Sequence, residues 1–297
     1  MRLLSFEGEG GPRVGAALGD SVVDLAAALA ALGGDAAAIP GDMTAFLARG
    51  EAATVAAARA LAFAARGENA ALRRPLSSVT LLAPVPRPGK ILGIGRNYGA
   101  HAKEVGGPVQ EIPRIFFKPA TAVAPPGALT RIPDAVRKPD WEAEIGVVIG
   151  RPARAVREAD ALRHVAGYTL LDDVSAREFQ FDVQPPQTSF AKGMDGFCPM
   201  GPWIVTPEEA GEPWDLQIRC WLNGELVQEG NTRDLIFPVT ALIAHLSRYM
   251  TLEPGDVIAT GTPAGSGAFR DPPRWLRSGD RLRIECPRIG VLEHGIA

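Results

Sequence analysis

The sequence predicts an α+β, β-rich protein: a smaller N-terminal α+β domain followed by a larger strand-rich domain. Three observations predict it. Short β-prone runs broken by glycine turns open the chain and recur throughout its later two thirds. Alanine-rich helical runs are confined to a block around residues 42–66. Between the two lies LAPVPRPGK at 82–90, where three prolines in five residues exclude a helix or central strand and make a stiff connector. The boundary is placed at about residue 80, giving an accessory domain over 1–80 and a second domain over 81–297.

Residues 2–6, 13–18 and 21–25 read as strands of a meander, separated by Gly-Glu-Gly-Gly-Pro and Gly19-Asp20. One helix is expected from Asp42 to a stop at Gly50, and another over 51–66 with its stop at Gly67. In the second part, strands are expected at 91–94, 141–149, 167–171, 203–206, 216–222, 257–260 and 281–285. Asn223-Gly224 between two β-prone runs signals a hairpin, and one helix is expected over 238–249. The 33 glycines and 26 prolines require many turns and argue against a helical bundle.

With 297 residues, 46% of them hydrophobic and 22% charged, the chain is long enough to bury a core without disulfides or structural metal. The net charge of −3, with no basic stripe, argues against nucleic-acid binding. No stretch approaches the roughly 20 apolar residues of a membrane span. The N-terminal apolar run stops at Phe6, so no signal peptide is expected. Cys198, Cys220 and Cys286 form neither a zinc pattern nor a disulfide framework, and a reducing cytoplasm fits them best.

Two glycine motifs resemble nucleotide loops without matching them. Gly93-Ile94-Gly95 begins like a dinucleotide fingerprint, but Tyr98 stands where the third glycine belongs. The stretch 261–267 lacks the lysine and hydroxyl ending of a phosphate loop, and reads as a turn after the 257–260 strand whose amides could face a substrate.

Glu142 and Glu144 lie two apart beside an apolar run, so on a strand they share a face. The alternative is the solvent side of an edge strand. A second apolar run ends at Asp172-Asp173, and Lys192 follows in a segment of low charge. Two glutamates and one aspartate sum to −3, which a divalent cation and Lys192 would neutralise; the oxygen-only set selects Mg²⁺ or Mn²⁺, with Ca²⁺ as a third candidate. If the stretch after Asn97 is helical, His101 and Glu104 are neighbours on one face, and the glutamate orients an imidazole suited to general-base work. A surface histidine with a chance acidic neighbour is the alternative. Gly106-Gly107 would hinge a small lid.

The ordered motifs NYxxHxxE, ExE, DDVSAR, a lysine segment ending in FCPMGPW, and PGDVIATGTPAG resemble the fumarylacetoacetate hydrolase family over roughly residues 90 to 290. The resemblance implies a mixed β-roll catalytic domain, a homodimer, and Mg²⁺ or Mn²⁺ held by Glu142, Glu144 and Asp173. It implies that His101 and Glu104 activate water, that Lys192 is the active-site lysine, and that Gln180 and Thr262 contact substrate. Arg177 would help order the site, and Lys118 would meet an anionic substrate group. Gly196 stands where many members carry threonine, and Asp172 replaces the commoner asparagine.

The activity implied is metal-dependent hydrolysis of a C–C bond in a 2,4-dioxo, acylpyruvate-like acid, through activated water and a metal-stabilised enolate. An oxaloacetate-type decarboxylase or a 2-oxo acid isomerase or hydratase is the alternative within the family. A nicotinamide oxidoreductase built on Gly93 and Gly95, or a non-catalytic metal scaffold, are readings from other classes.

Overall fold

The computed structural model describes residues 1–106 and 110–297. Three strands, β1 (Arg2–Gly8), β2 (Gly11–Leu18) and β3 (Ser21–Asp24), form the expected meander. Asp24 then caps α1 (Leu25–Ala31) by accepting from the Ala27 N–H at 3.0 Å. That helix was not expected, because two turns give little periodicity. The expected start at Asp42 is the cap of α2 (Met43–Ala48), where its carboxylate accepts from the Ala45 N–H at 2.7 Å. In α3 (Glu51–Ala64) the buried residues are Ala53, Ala57, Ala60 and Ala64. Their spacing of three and four makes one small-residue face, which packs on α1. β4 (Arg73–Pro75) lies beside β3.

After the proline connector come β5 (Ile91–Gly95), α4 (Gly99–Val105), β6 (Arg114–Lys118), β7 (Val123–Ala124), β8 (Leu129–Thr130) and β9 (Pro139–Asp140). Two long central strands follow, β10 (Ala143–Ile149) and β11 (Val165–Asp172), and then β12 (Ser175–Ala176). Two five-residue helices, α5 (Arg177–Phe181) and α6 (Thr188–Lys192), precede β13 (Cys198–Val205) and α7 (Pro207–Ala210). The chain continues through β14 (Gln217–Leu222), β15 (Glu225–Asn231), α8 (Val239–Tyr249), β16 (Val257–Ala259), β17 (Arg281–Cys286) and β18 (Gly290–Ile296). Between β14 and β15, Asn223 and Gly224 both have positive φ (53° and 85°), as a two-residue hairpin turn requires.

Among the described residues an eleven-stranded sheet runs β4-β3-β2-β1-β13-β11-β10-β16-β5-β6, with β7 alongside β13. A five-stranded sheet runs β15-β14-β17-β18-β8, and β9 pairs with β12. The fold is therefore α+β and rich in strands. The large sheet passes through the connector at residue 80: β1 pairs with β13, Arg2 opposite Val205 and Leu3 opposite Ile204. One core joins residues of α1–α3 to Val148, Leu171 and Ile204. The other gathers Ala143, Ile145, Val147 and Ile149 of β10. β10 is thus buried on both faces, its odd residues toward one core and Val148 toward the other, as a period of two dictates.

Gly93 is not a nucleotide-loop glycine. A Cβ there would lie 2.0 Å from the Phe116 ring, so its bareness makes room for that ring across the β5–β6 ladder. Gly106 has φ 76° and ends α4; Gly107, the second residue of the expected lid hinge, lies outside the described residues.

Candidate active site

Glu142, directly before β10, and Glu144 within it lie on the same side of the extended chain. The antiparallel register sets Ala143 opposite Asp172 at the end of β11. The next residue, Asp173, therefore arrives beside Glu142 and donates its N–H to the Glu142 carbonyl at 2.9 Å. Carboxylate oxygens of Glu142, Glu144 and Asp173 lie within 4.8 Å of one another, and all three residues are buried.

Three buried cations surround the trio. Lys192, at the end of α6, donates to Glu142 Oε2 (2.7 Å), Asp173 Oδ2 (2.5 Å) and Ser175 Oγ (2.7 Å). Arg177 opens α5, with Nη2 2.6 Å from Glu142 Oε1 and Nε donating to Asp140 Oδ2 at 2.8 Å. Lys118, expected to meet an anionic substrate group, instead donates to Asp173 Oδ1 at 2.5 Å; its charge is taken up by a carboxylate of the protein itself. Asp140 holds Arg177 in place, since it also accepts the N–H groups of Gly267 (2.6 Å) and Ala268 (3.0 Å).

Glu144 differs from its neighbours. Its only hydrogen bond among the described residues comes from the Gly261 N–H, at 2.7 Å. Burial, and then Asp173 and Glu142, push its carboxyl well above the ordinary glutamate range. Burial also works against the charge of Glu142, but Arg177, Lys192 and His101 outweigh it and hold Glu142 well below that range. For Lys192, burial opposes the charge, yet Asp173 and Glu142 hold its proton more tightly than usual.

The charges test whether a metal fits. Asp140, Glu142, Glu144 and Asp173 are met by Lys118, Arg177 and Lys192, which leaves one buried carboxylate, Glu144, without a cation. Three converging oxygen donors with an uncompensated negative charge suit a hard divalent ion. The residues present fit Mg²⁺ or Mn²⁺.

His101 lines a cavity with Glu142 and Glu144. α4 presents buried His101, whose Nδ1 is 3.1 Å from Glu104 Oε2. Glu104 Oε1 accepts from the Gly265 N–H at 3.1 Å, and the imidazole packs edge-on against Phe269 at 5.6 Å between ring centres. The glycine-rich loop thus directs its amides at two carboxylates, Gly261 at Glu144 and Gly265 at Glu104, where the sequence suggested a substrate. His101, Glu142, Glu144 and Lys192 line one cavity.

Gln180 and Thr262 are also on that wall. Gln180 Oε1 accepts from Arg177 Nη1 at 3.0 Å. Thr262 Oγ1 donates to the Ala143 carbonyl at 2.9 Å and accepts from Gln228 Nε2 at 2.8 Å.

Sequence reading missed several contributors. Asp140 is one, although it stands two residues before the ExE motif. Gln228 is another; its Oε1 accepts the Ala143 N–H at 3.0 Å from a strand 85 positions away, a pairing no local pattern reveals. His294 is a third: it is buried, with Nε2 2.8 Å from Asp172 Oδ2, while Asp172 Oδ1 accepts the Glu142 N–H at 2.8 Å. Arg96 and Arg114 were not singled out, and both line the cavity. Arg96 directly precedes the NYxxHxxE motif, a signal that could have found it.

The family model described as fumarylacetoacetate (FAA) hydrolase C-terminal matches residues 90–297. A curated relative, oxaloacetate tautomerase fahd2, mitochondrial, of Xenopus laevis, is 41% identical over 100% of this chain and 90% of its own. A maleylpyruvate hydrolase of Sphingobium sp. SYK-6, solved with manganese(II) and pyruvate, superposes with a TM-score of 0.79 at 34% identity, covering 100% of this chain and 99% of that one. Fumarylacetoacetate hydrolase of Exiguobacterium antarcticum superposes with a TM-score of 0.80 at 31% identity and the same coverage.

Proposed function

The chain belongs to the fumarylacetoacetate hydrolase family, and on that premise we propose that it is a divalent-metal enzyme that moves protons on a 2-oxo acid, interconverting keto and enol forms of an oxaloacetate-like substrate. The observation that carries this reading is that Glu142 and Glu144, two of the three clustered carboxylates, and His101, held by Glu104, line one cavity. The whole-length likeness to an oxaloacetate tautomerase supports it.

Glu142, Glu144 and Asp173 would hold the ion, which when bound supplies Lewis acidity toward the 2-oxo and carboxylate oxygens of the substrate. His101 takes and returns a proton at Nε2, because its Nδ1 is committed to Glu104. Glu104, fixed by the Gly265 N–H, orients the ring. Lys192 and Arg177 add positive charge beside the cavity while holding Glu142 ionised. Phe116 and Phe269 give the cavity apolar walls, which restrict water around the reacting carbons.

A second reading is C–C hydrolysis of an acylpyruvate-like acid, favoured by the His101–Glu104 pair and by the likeness to a hydrolase solved with manganese and pyruvate. There the same pair would activate water. As part of either reading we propose a homodimer, which analytical ultracentrifugation checks.

The test supplies enol oxaloacetate and an acylpyruvate to the Mn²⁺-loaded protein. Ultraviolet absorbance follows ketonisation, and product analysis follows cleavage. Accelerated ketonisation that a chelator abolishes supports the first reading, and release of a carboxylic acid with pyruvate supports the second. Inactivity on both acids removes the 2-oxo acid assignment.

A further inference from the structure

The cavity has a positively charged end that the chemistry above does not use. Register pairs Gly95 of β5 with Arg114 of β6, so Arg96, the residue after β5, emerges beside Arg114 at the cavity mouth. Arg96 has φ 59°, a left-handed conformation uncommon outside glycine, and it aims a bulky charged side chain rather than making a bare turn. Arg96 Nη1 donates to the Gly106 carbonyl at 3.2 Å, and Arg114 Nη2 reaches Thr188 Oγ1 at 3.4 Å. Among the described residues neither guanidinium has a carboxylate partner, although both line a cavity whose inner wall is crowded with carboxylates. Of those acids, Glu142 and Asp173 are already bound by Lys118, Lys192 and Arg177, and Glu144 accepts from the Gly261 N–H. Burial, and then the charge of Arg114, disfavour the charge on Arg96. Two like charges held together at a pocket rim are relieved by an anion, and guanidinium forks match a carboxylate in shape and hydrogen-bond geometry.

We propose that Arg96 and Arg114 form a second anion subsite that receives the far carboxylate of the substrate, making the enzyme selective for 2-oxo dicarboxylic acids over 2-oxo monocarboxylic acids. The proposal rests on the 2-oxo acid reading of the inner site. The substrate's 2-oxo acid head sits at the trio, and its other end reaches the arginine pair. Thr188 adds a hydroxyl at the same rim.

The test uses two acids of equal length, 2-oxoglutarate and 2-oxopentanoate, which differ only in a carboxylate or methyl at the far end. Each is titrated calorimetrically into the full Mn²⁺-loaded chain. The unaltered protein is expected to bind 2-oxoglutarate roughly tenfold more tightly or better, the scale of a charge-assisted hydrogen bond. Arg96→Gln and Arg114→Gln are each expected to cut that affinity ratio about tenfold, and Arg114→Lys to keep part of it. Arg114 is exposed on the edge strand β6, so its substitution leaves the core untouched. A ratio near one in the unaltered chain, or a ratio that neither glutamine moves, overturns the subsite while the 2-oxo acid reading stands. Binding of neither acid overturns that reading, and the subsite with it.

Discussion

Glu142 and Glu144 stand two residues apart on one face, and the protein holds their protons in opposite senses. Arg177 and Lys192 contact the first, whereas among the described residues the carboxylate of the second meets only a backbone amide. The asymmetry gives the cavity one permanent carboxylate and one that ionises when a cation arrives.

Ion binding therefore depends on pH through Glu144. In the metal-free fold Glu144 holds its proton more tightly than in the unfolded chain, so this group subtracts stability as pH climbs above its ordinary 4.5. Glu142 works the other way: its contribution is present above 4.5 and is lost as pH falls below that value. A ligand carboxylate must be ionised, so where Glu144 holds its proton Mn²⁺ uptake releases it, and the affinity falls as pH is lowered. Calorimetry in buffers of different ionisation heat measures that proton. Equal affinity and no released proton at every pH would contradict the assignment of Glu144.

His101→Ala is expected to lower turnover by roughly 100- to 10,000-fold while Mn²⁺ binding is retained, since the proposed mechanism uses the imidazole to carry a proton and not to ligate the ion. Glu104→Gln, which keeps the shape and removes the charge, should shift the pH–rate profile as well as lower its height. Steady-state kinetics across pH on the proposed substrates checks both. Full turnover in the alanine variant would exclude the pair from the chemistry.

Lys118→Met separates structure from ion binding. Removing a buried cation from Asp173 is expected to destabilise the metal-free protein by about 3 kcal/mol. The site then carries one more net negative charge, so its hold on Mn²⁺ is expected to tighten. Denaturant unfolding with and without the ion reads the two effects separately. A variant as stable as the parent would show that Lys118 is not needed to balance Asp173.

Asp172→Asn tests the bridge from His294 to the backbone of Glu142. The amide oxygen keeps the Glu142 N–H bond, but its NH₂ forces His294 into the tautomer with a proton on Nδ1, an atom with no partner. The expected cost is about 1–3 kcal/mol of stability with turnover little changed. Asp172→Ala also removes the bond to Glu142, and should weaken Mn²⁺ binding as well. Thermal unfolding and ion titration together distinguish the two variants.

What the sequence made legible follows from the range of the interactions involved. The shared side of Glu142 and Glu144, the i,i+3 pair His101 and Glu104, and the Asn223-Gly224 turn are local patterns, and the structure contains each. Helices α5 and α6, five residues each, are too short to leave a periodic signature, although they carry Arg177 and Lys192. Charge balance already set Lys192 beside the carboxylate trio, but the individual contacts of the two cations were hidden for a different reason. Lys192 meets Glu142 across 50 positions and Arg177 meets Asp140 across 37, distances that only the finished sheet collapses. Lys118 illustrates the same limit. A lysine in FFKPA shows its charge in the sequence, but whether that charge faces a ligand or a neighbouring acid is decided by the β5–β6 ladder and the turn after β11.

The pairing of β1 with β13 bears on how such a chain is dissected or recombined. Every residue of β13 is buried, and the strand is flanked by one partner from the start of the chain and another from its middle. Cutting the chain at the proline connector would bare the backbone ladder of β13 and the apolar surface beneath the alanine helices, creating a sticky edge prone to self-association. The opening segment behaves as a structural staple, and a chimera that swaps it must import a strand matched in register to residues 204 and 205.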